Sequence, residues 1–359
     1  MKKSSIRFLI TLLVTGSISA SAQTGFTDGG GDHLWSNPAN WSAGLPDAAD
    51  AVTQTASGGA LLNLDSDAGT VASFNNGNNS TSTFNIVSGG SLTTGGRFDI
   101  ANSDGVGVGI LNVDGGSLSV GGDFQLGRFG TRSGIVTLNT GSITASGQTQ
   151  IGGWNTGTGD LTINGGTYTA NERVRVGVTG AGALTMNAGT LDLTGQWGPG
   201  TLEVGNGAGD GLFVLNGGTV SVDLFSMDDT AAGSARAEIN GGLLQIRNKW
   251  SDDAFTVAND DAEFFIGNGV VERDGDSISL FTSAVDAGNI TWDSSSTTML
   301  TENWDVSYTN GTGSILFVDY NDATAGSTTM WAAIPEPATL GLVAAMGGIM
   351  LMVRRAFML

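Results

Sequence analysis

The sequence predicts an all-β chain wound into a parallel β-helix, a solenoid with three short strands in each coil of about 25 residues. Glycine turns recur on a near-constant period. The glycines that mark them are Gly90, Gly116, Gly141, Gly166, Gly189, Gly218 and Gly242. Between the turns apolar residues come in alternating pairs, Leu111/Val113, Leu118/Val120 and Phe124/Leu126 in the clearest unit, so each short strand has one buried face. Composition agrees. With 58 glycines, only 5 prolines, 40% hydrophobic and 13% charged residues, the chain suits neither collagen nor disorder and has enough apolar material for a core.

Taken in chain order, Lys2, Lys3 and Arg7 precede the apolar run Phe8 to Val14, and Ala20-Ser21-Ala22 supplies small residues at a cleavage site before Gln23. Residues 1–22 therefore read as a secretory signal peptide with a signal helix. Residues 23–50 follow as a cap. Its segment Gly29 to Asp47 carries His33, Trp35 and Trp41, and resembles the opening of exported β-helix proteins, including autotransporter-like passenger repeats. The two tryptophans are expected to pack over the open end of the column, which solenoids must cover to avoid strand addition.

Residues 51–320 are assigned to the repeats. Leu161/Ile163, Tyr168/Ala170 and Val174/Val176 repeat the offsets of the clearest unit, and Phe213/Leu215, Val220/Val222 and Phe225/Met227 recur in the same order with the last pair one residue closer. One unit puts Thr149 before Ile151, where an apolar residue is expected. No such unit buries a core alone, so the units must stack. At about 4.8 Å per rung, seven clear rungs make a column of about 30 Å, and the flanks at 50–80 and 250–320 could extend it to about twelve rungs. A β-propeller needs four strands and about 40 residues per repeat, and a leucine-rich repeat needs a helical side. Asn, Asp and Gly recur at the corners, in Asp114-Gly115-Gly116, Asn164-Gly165-Gly166, Asn216-Gly217-Gly218 and Asn240-Gly241-Gly242. They suit left-handed backbone, and stacked asparagines there could form a hydrogen-bonded ladder.

A linker, 321–333, leads to the tail 334–359. There Pro335-Glu336-Pro337 precedes sixteen uncharged residues, Ala338 to Val353, and then Arg354-Arg355. Sixteen residues make roughly 24 Å of helix, a short transmembrane span with its basic end in the cytoplasm. This three-part tail resembles the PEP-CTERM sorting signal, also known as the ice-binding protein C-terminal domain. The resemblance is confined to the tail, 334–359. It implies export, a membrane-anchored intermediate held through 338–353, and recognition near Pro335, Glu336 and Pro337 by an exosortase-type enzyme that removes the tail.

The absence of cysteine excludes thiolate metal sites, disulfides and a cysteine nucleophile. All 34 acidic residues but only nine of the 14 basic ones lie in 23–337, giving that stretch a net charge of −25, which argues against nucleic acid as a partner. A single histidine, His33, supports neither a histidine metal site nor a serine triad. Asp228/Asp229, Asp252/Asp253 and Asp260/Asp261 are the best carboxylate pairs, without a basic residue at a fixed rung offset beside them, and Trp154 and Trp197 sit in longer turns. No catalytic residue, metal or cofactor is assigned. The aligned polar pairs Ser117/Ser119, Ser142/Thr144 and Thr190/Asp192 are too irregular for a flat ice-binding array. The expectation is a non-enzymatic structural or adhesive protein of the cell envelope or extracellular matrix, with exopolysaccharide as a candidate partner. The alternatives are a carbohydrate-active β-helix enzyme and an ice- or glycan-binding module.

Overall fold

The computed structural model describes residues 22–334 except 55–59, 78–80, 103–106, 154–155, 194, 196–197, 228–232, 248–254 and 258–261. Ala20, the sorting residues Pro335, Glu336, Pro337, Arg354 and Arg355, and the apolar segment 338–353 lie outside the described residues. So do Trp154, Trp197 and the three acidic pairs. Among the described residues no helix is long and apolar enough to cross a membrane.

The chain is about 54% strand and 4% helix, and its centre is a parallel β-solenoid of about nine turns. At one rung per turn that column is about 43 Å long, shorter than twelve rungs would make it. Three faces run along it. The first stacks ten parallel strands, from Ala22–Phe26 and Asp50–Gln54 up to Phe255–Val257. The second runs from Ala60–Leu64 to Ile290–Trp292, and the third from Asp67–Val71 to Val270–Asp274. Strands Val108–Val120 and Ser133–Ala145 pass through the corner between the second and third faces without a break.

Alternation decides which side chains enter the column. The pairs Leu111/Val113, Leu118/Val120 and Phe124/Leu126 and their equivalents on later rungs are buried, with Val257 and Trp292 at the far end partly so. Because the rungs are in register, like residues stack on like. Phe74 lies on Phe98 with ring centroids 4.8 Å apart at 13°, and Phe225 lies on Phe255 at 5.8 Å and 17°. Thr149 does point inward, fully buried, and its hydroxyl meets the Tyr168 hydroxyl at 2.7 Å. Each polar atom satisfies the other, so a threonine is tolerated in an apolar stack. Burial pushes the Tyr168 phenol well above its ordinary pKa.

Glycine has two jobs here. At the corner between the second and third faces one glycine per coil is left-handed: Gly141, Gly166, Gly189, Gly218 and Gly242, but Gly89 and Gly115 in the first two units. Gly90 and Gly116 are needed for closeness instead, since a Cβ at Gly116 would lie 2.6 Å from the Gly90 carbonyl oxygen. A further column begins the second face, where Gly109, Gly134, Gly159, Gly182 and Gly211 occupy consecutive rungs. A Cβ on Gly134 would lie 2.8 Å from the Ile100 carbonyl oxygen, because the chain leaving the first face turns tightly against it at the left-handed Gly127.

Both ends are closed. Trp35 and Trp41 are 3% and 5% exposed, and they pack edge to face at 4.7 Å over Phe74, Phe84 and Phe26. This is the cap expected from sequence, and burial removes the pair from any sugar-stacking role. Asp32 organises the cap loop by accepting from Leu34 N, Asn37 Nδ2 and Asn40 Nδ2 at 3.1, 2.8 and 2.6 Å. Those donors hold its carboxyl below the usual carboxylate range. At the other end the regular coiling stops at Trp292, not at 320. Residues 321–333 are not a linker: they contain strand Ser327–Ala333, buried along its whole length and antiparallel to both Val270–Asp274 and Ile315–Tyr320. Strand Val306–Thr309 and helix Ile278–Asp286 complete this cap, with Phe281 of the helix against Phe255 at 5.2 Å.

Candidate functional site

The corner carrying the expected repeat-turn glycines also carries the asparagine ladder. Asn139 Nδ2 donates to Asp114 Oδ1 at 2.6 Å, and the chain continues through Asn164, Asn187 and Asn216 at 2.8, 2.7 and 2.9 Å to Asn240 at 3.3 Å. From Asn139 to Asn216 each amide donates to the rung before and accepts from the rung after. Asp114 stands at the starting end, where only acceptance is required, so a carboxylate serves there. A separate run joins Asn112, Asn85 and Asn63 at 2.9 Å per step. These polar residues are spent on the fold.

A polar seam on the first face is different in kind. The residue before each short strand and the residue at its centre both point outward, and on successive rungs they read Arg97/Asp99, Asp123/Gln125, Gln148/Gln150 and Arg173/Arg175, with Glu203 next. In a chain of net charge −20, four arginines collect here, the fourth being Arg128 in the corner beyond. Arg97 Nε is 2.8 Å from Asp99 Oδ2, and Glu203 is held between Arg173 at 3.0 Å and Arg175 at 2.7 Å. Arg128 lies over the Phe129 ring at 4.6 Å.

The seam is shielded although it faces outward. Asp99, Gln125 and Gln150 are 4%, 2% and 4% exposed, and Asp99 Oδ1, Gln125 Oε1 and Gln150 Oε1 have no hydrogen-bond partner. Burial raises the Asp99 pKa, against the opposing pull of Arg97, the Asn102 amide and Arg128. The Arg128 pKa is lowered by its own burial and by Arg97, with Asp99 and Asp123 opposing. Three unpaired acceptors on consecutive rungs can take hydrogen bonds from hydroxyls, water or ammonium groups. Of the neighbouring carboxylates, Asp99 Oδ2 and Glu203 are engaged by arginine and Asp123 Oδ1 accepts from Gln148 N at 3.1 Å. The signal for this seam was a fixed position carrying changing residue types once per coil, which apolar periodicity does not register.

The third face shows more order than its sequence pairs suggested. Its outward columns read Ser91, Ser117, Ser142, Thr167, Thr190, Thr219 and Thr93, Ser119, Thr144, Thr169, Asp192, Ser221. Within these six rungs only Asp192 interrupts them, paired with Arg247 at 2.8 Å, whereas Asp67 precedes them and Leu243/Gln245 and Val270/Glu272 follow on the same face. His33 sits in the N-terminal cap with Nδ1 2.7 Å from Asp28 Oδ2. Of the cleavage-site residues, Ala22 and Gln23 open the first strand of the first face, paired with Asp50 and Ala51. Among the described residues no three His, Asp or Glu side chains come together to hold a metal ion. Compared with known proteins, the chain matches no family model, no curated protein and no solved structure.

Proposed function

We propose that this chain is an exported structural or adhesive β-helix protein of the cell envelope or extracellular matrix. Residues 1–22 direct its export, and the tail beginning at Pro335-Glu336-Pro337 sorts it through an exosortase-type enzyme. The observation that carries the reading is a rigid column of about nine turns, closed at both ends by its own chain. Such a column keeps its length and presents its faces without offering open strand edges. In the nearest material for a carbohydrate-active enzyme, Asp99 is buried and its Oδ2 is engaged by the exposed Arg97. Fractionation with mass spectrometry of the C-terminus tests the reading. A mature envelope or matrix form lacking residues 338–359 is expected; a cytosolic, full-length protein would overturn it.

A second reading, an ordered-water or ice-binding module, is favoured by the two hydroxyl columns of the third face. Thermal hysteresis measures it directly. Replacing Thr144 and Thr169 with lysine should abolish any hysteresis, and an absence of hysteresis in the native chain removes this reading.

A further inference from the structure

We infer that the C-terminal cap holds a binding site for a neutral glycan, built around Trp304. The coil 293–305 and strands Val306–Thr309 and Ile315–Tyr320 enclose an open cavity of about 560 Å³, within the range of small-ligand sites. Its aromatic wall is Trp304, 43% exposed, whereas the other described tryptophans are buried or half-buried. A large exposed indole costs solvation free energy that burial against a partner recovers.

The indole is held in place rather than free. Its ring meets Phe317 edge-on at 4.9 Å and 68°, and Phe317 stacks on buried Trp331 at 5.2 Å and 20°. The next residue, Asp305, fixes the backbone: its N–H donates to the Val318 carbonyl at 3.2 Å and its Oδ2 accepts from Tyr320 N at 2.8 Å. A preorganised aromatic plane loses little side-chain entropy on binding.

The other groups lining the cavity select the ligand. Met299 and Ile315 extend the apolar wall beside Trp304, while Thr297, Thr301 and Ser307 bring hydroxyls and Glu302 a carboxylate. Thr301 Oγ1 accepts from Asn303 N at 3.1 Å, which leaves its own proton to donate. An apolar ligand leaves these groups unpaired, and an anionic one meets Glu302 and a chain of net charge −20. A pyranose satisfies both walls: its C–H face lies on the indole and its hydroxyls meet the threonines, the serine and the carboxylate. The site stands apart from the sorting reading, because purified protein binds sugar or does not, however it was exported.

Affinity electrophoresis of the full-length chain tests it, in gels cast with a soluble β-glucan, dextran, galactomannan or polygalacturonate. Retardation by at least one neutral polymer and not by polygalacturonate is expected. Trp304→Ala should weaken it at least tenfold and Trp304→Phe less. Ser307→Trp, on a cap strand lining the cavity and opposite Phe317, should occupy the cavity and block binding. Unretarded native protein in all neutral gels overturns the proposal. So does retardation by polygalacturonate alone, or undiminished retardation of the Ser307→Trp variant.

Discussion

Gly159 shows how little freedom one residue has in this column. It opens a second-face strand between Gly134 and Gly182, and a Cβ there would lie 2.9 Å from both the Ile151 carbonyl carbon and the Leu126 carbonyl oxygen. Backbone cannot yield as a flexible side chain can. Gly159→Ala should therefore destabilise the chain by about 1–3 kcal/mol in denaturant titration, while Gly311→Ala, with nothing within 4 Å, should be neutral. Asp32 makes a pH-dependent contribution. Its folded pKa is depressed by three donors, so its contribution is present above the ordinary carboxylate value and is lost as pH falls through the lower folded value. Stability measured against pH should drop in that acid window for the native chain, and the drop should be smaller in Asp32→Asn.

At the scale of the element, the asparagine ladder behaves as one unit because each member is donor to one neighbour and acceptor for the other. Asn164→Ala breaks two links at an exposed corner and should cost about 0.5–1.5 kcal/mol. Asn164→Asp sets a carboxylate against the Asn139 amide oxygen and should cost more at neutral pH. The gap between the two variants should close in acid, where the protonated carboxyl donates again; a gap independent of pH would count against the ladder. The corner register was legible in Asn-Gly-Gly and Asp-Gly-Gly, because turn chemistry and period coincided. The C-terminal cap was not legible. Ser327–Ala333 is buried on both faces, so it shows no alternation, and its run Ser327-Thr328-Thr329 looks like polar linker. The cavity beside Trp304 was missed with it, since no repeat frames that tryptophan.

The whole molecule follows from repetition plus two closures. Parallel stacking was readable because alternating inward pairs recur in the same order once per coil, even where Thr149 replaces an apolar residue and finds Tyr168 instead. The first-face seam escaped notice because its residue types change from rung to rung while only the position is constant. A solenoid couples each coil mainly to its neighbours, so its geometry is a sum of equal steps. Because the chain has no cysteine, introduced cysteines carry spin labels only where they are placed. With one label at Thr93 and the second at Thr169, Ser221 or Gln245, the positions lie three, five and six rungs apart on the third face. Pulsed electron paramagnetic resonance should give mean distances that rise linearly by about 4.8 Å per rung. Distances that fail to grow with rung number would contradict the parallel column.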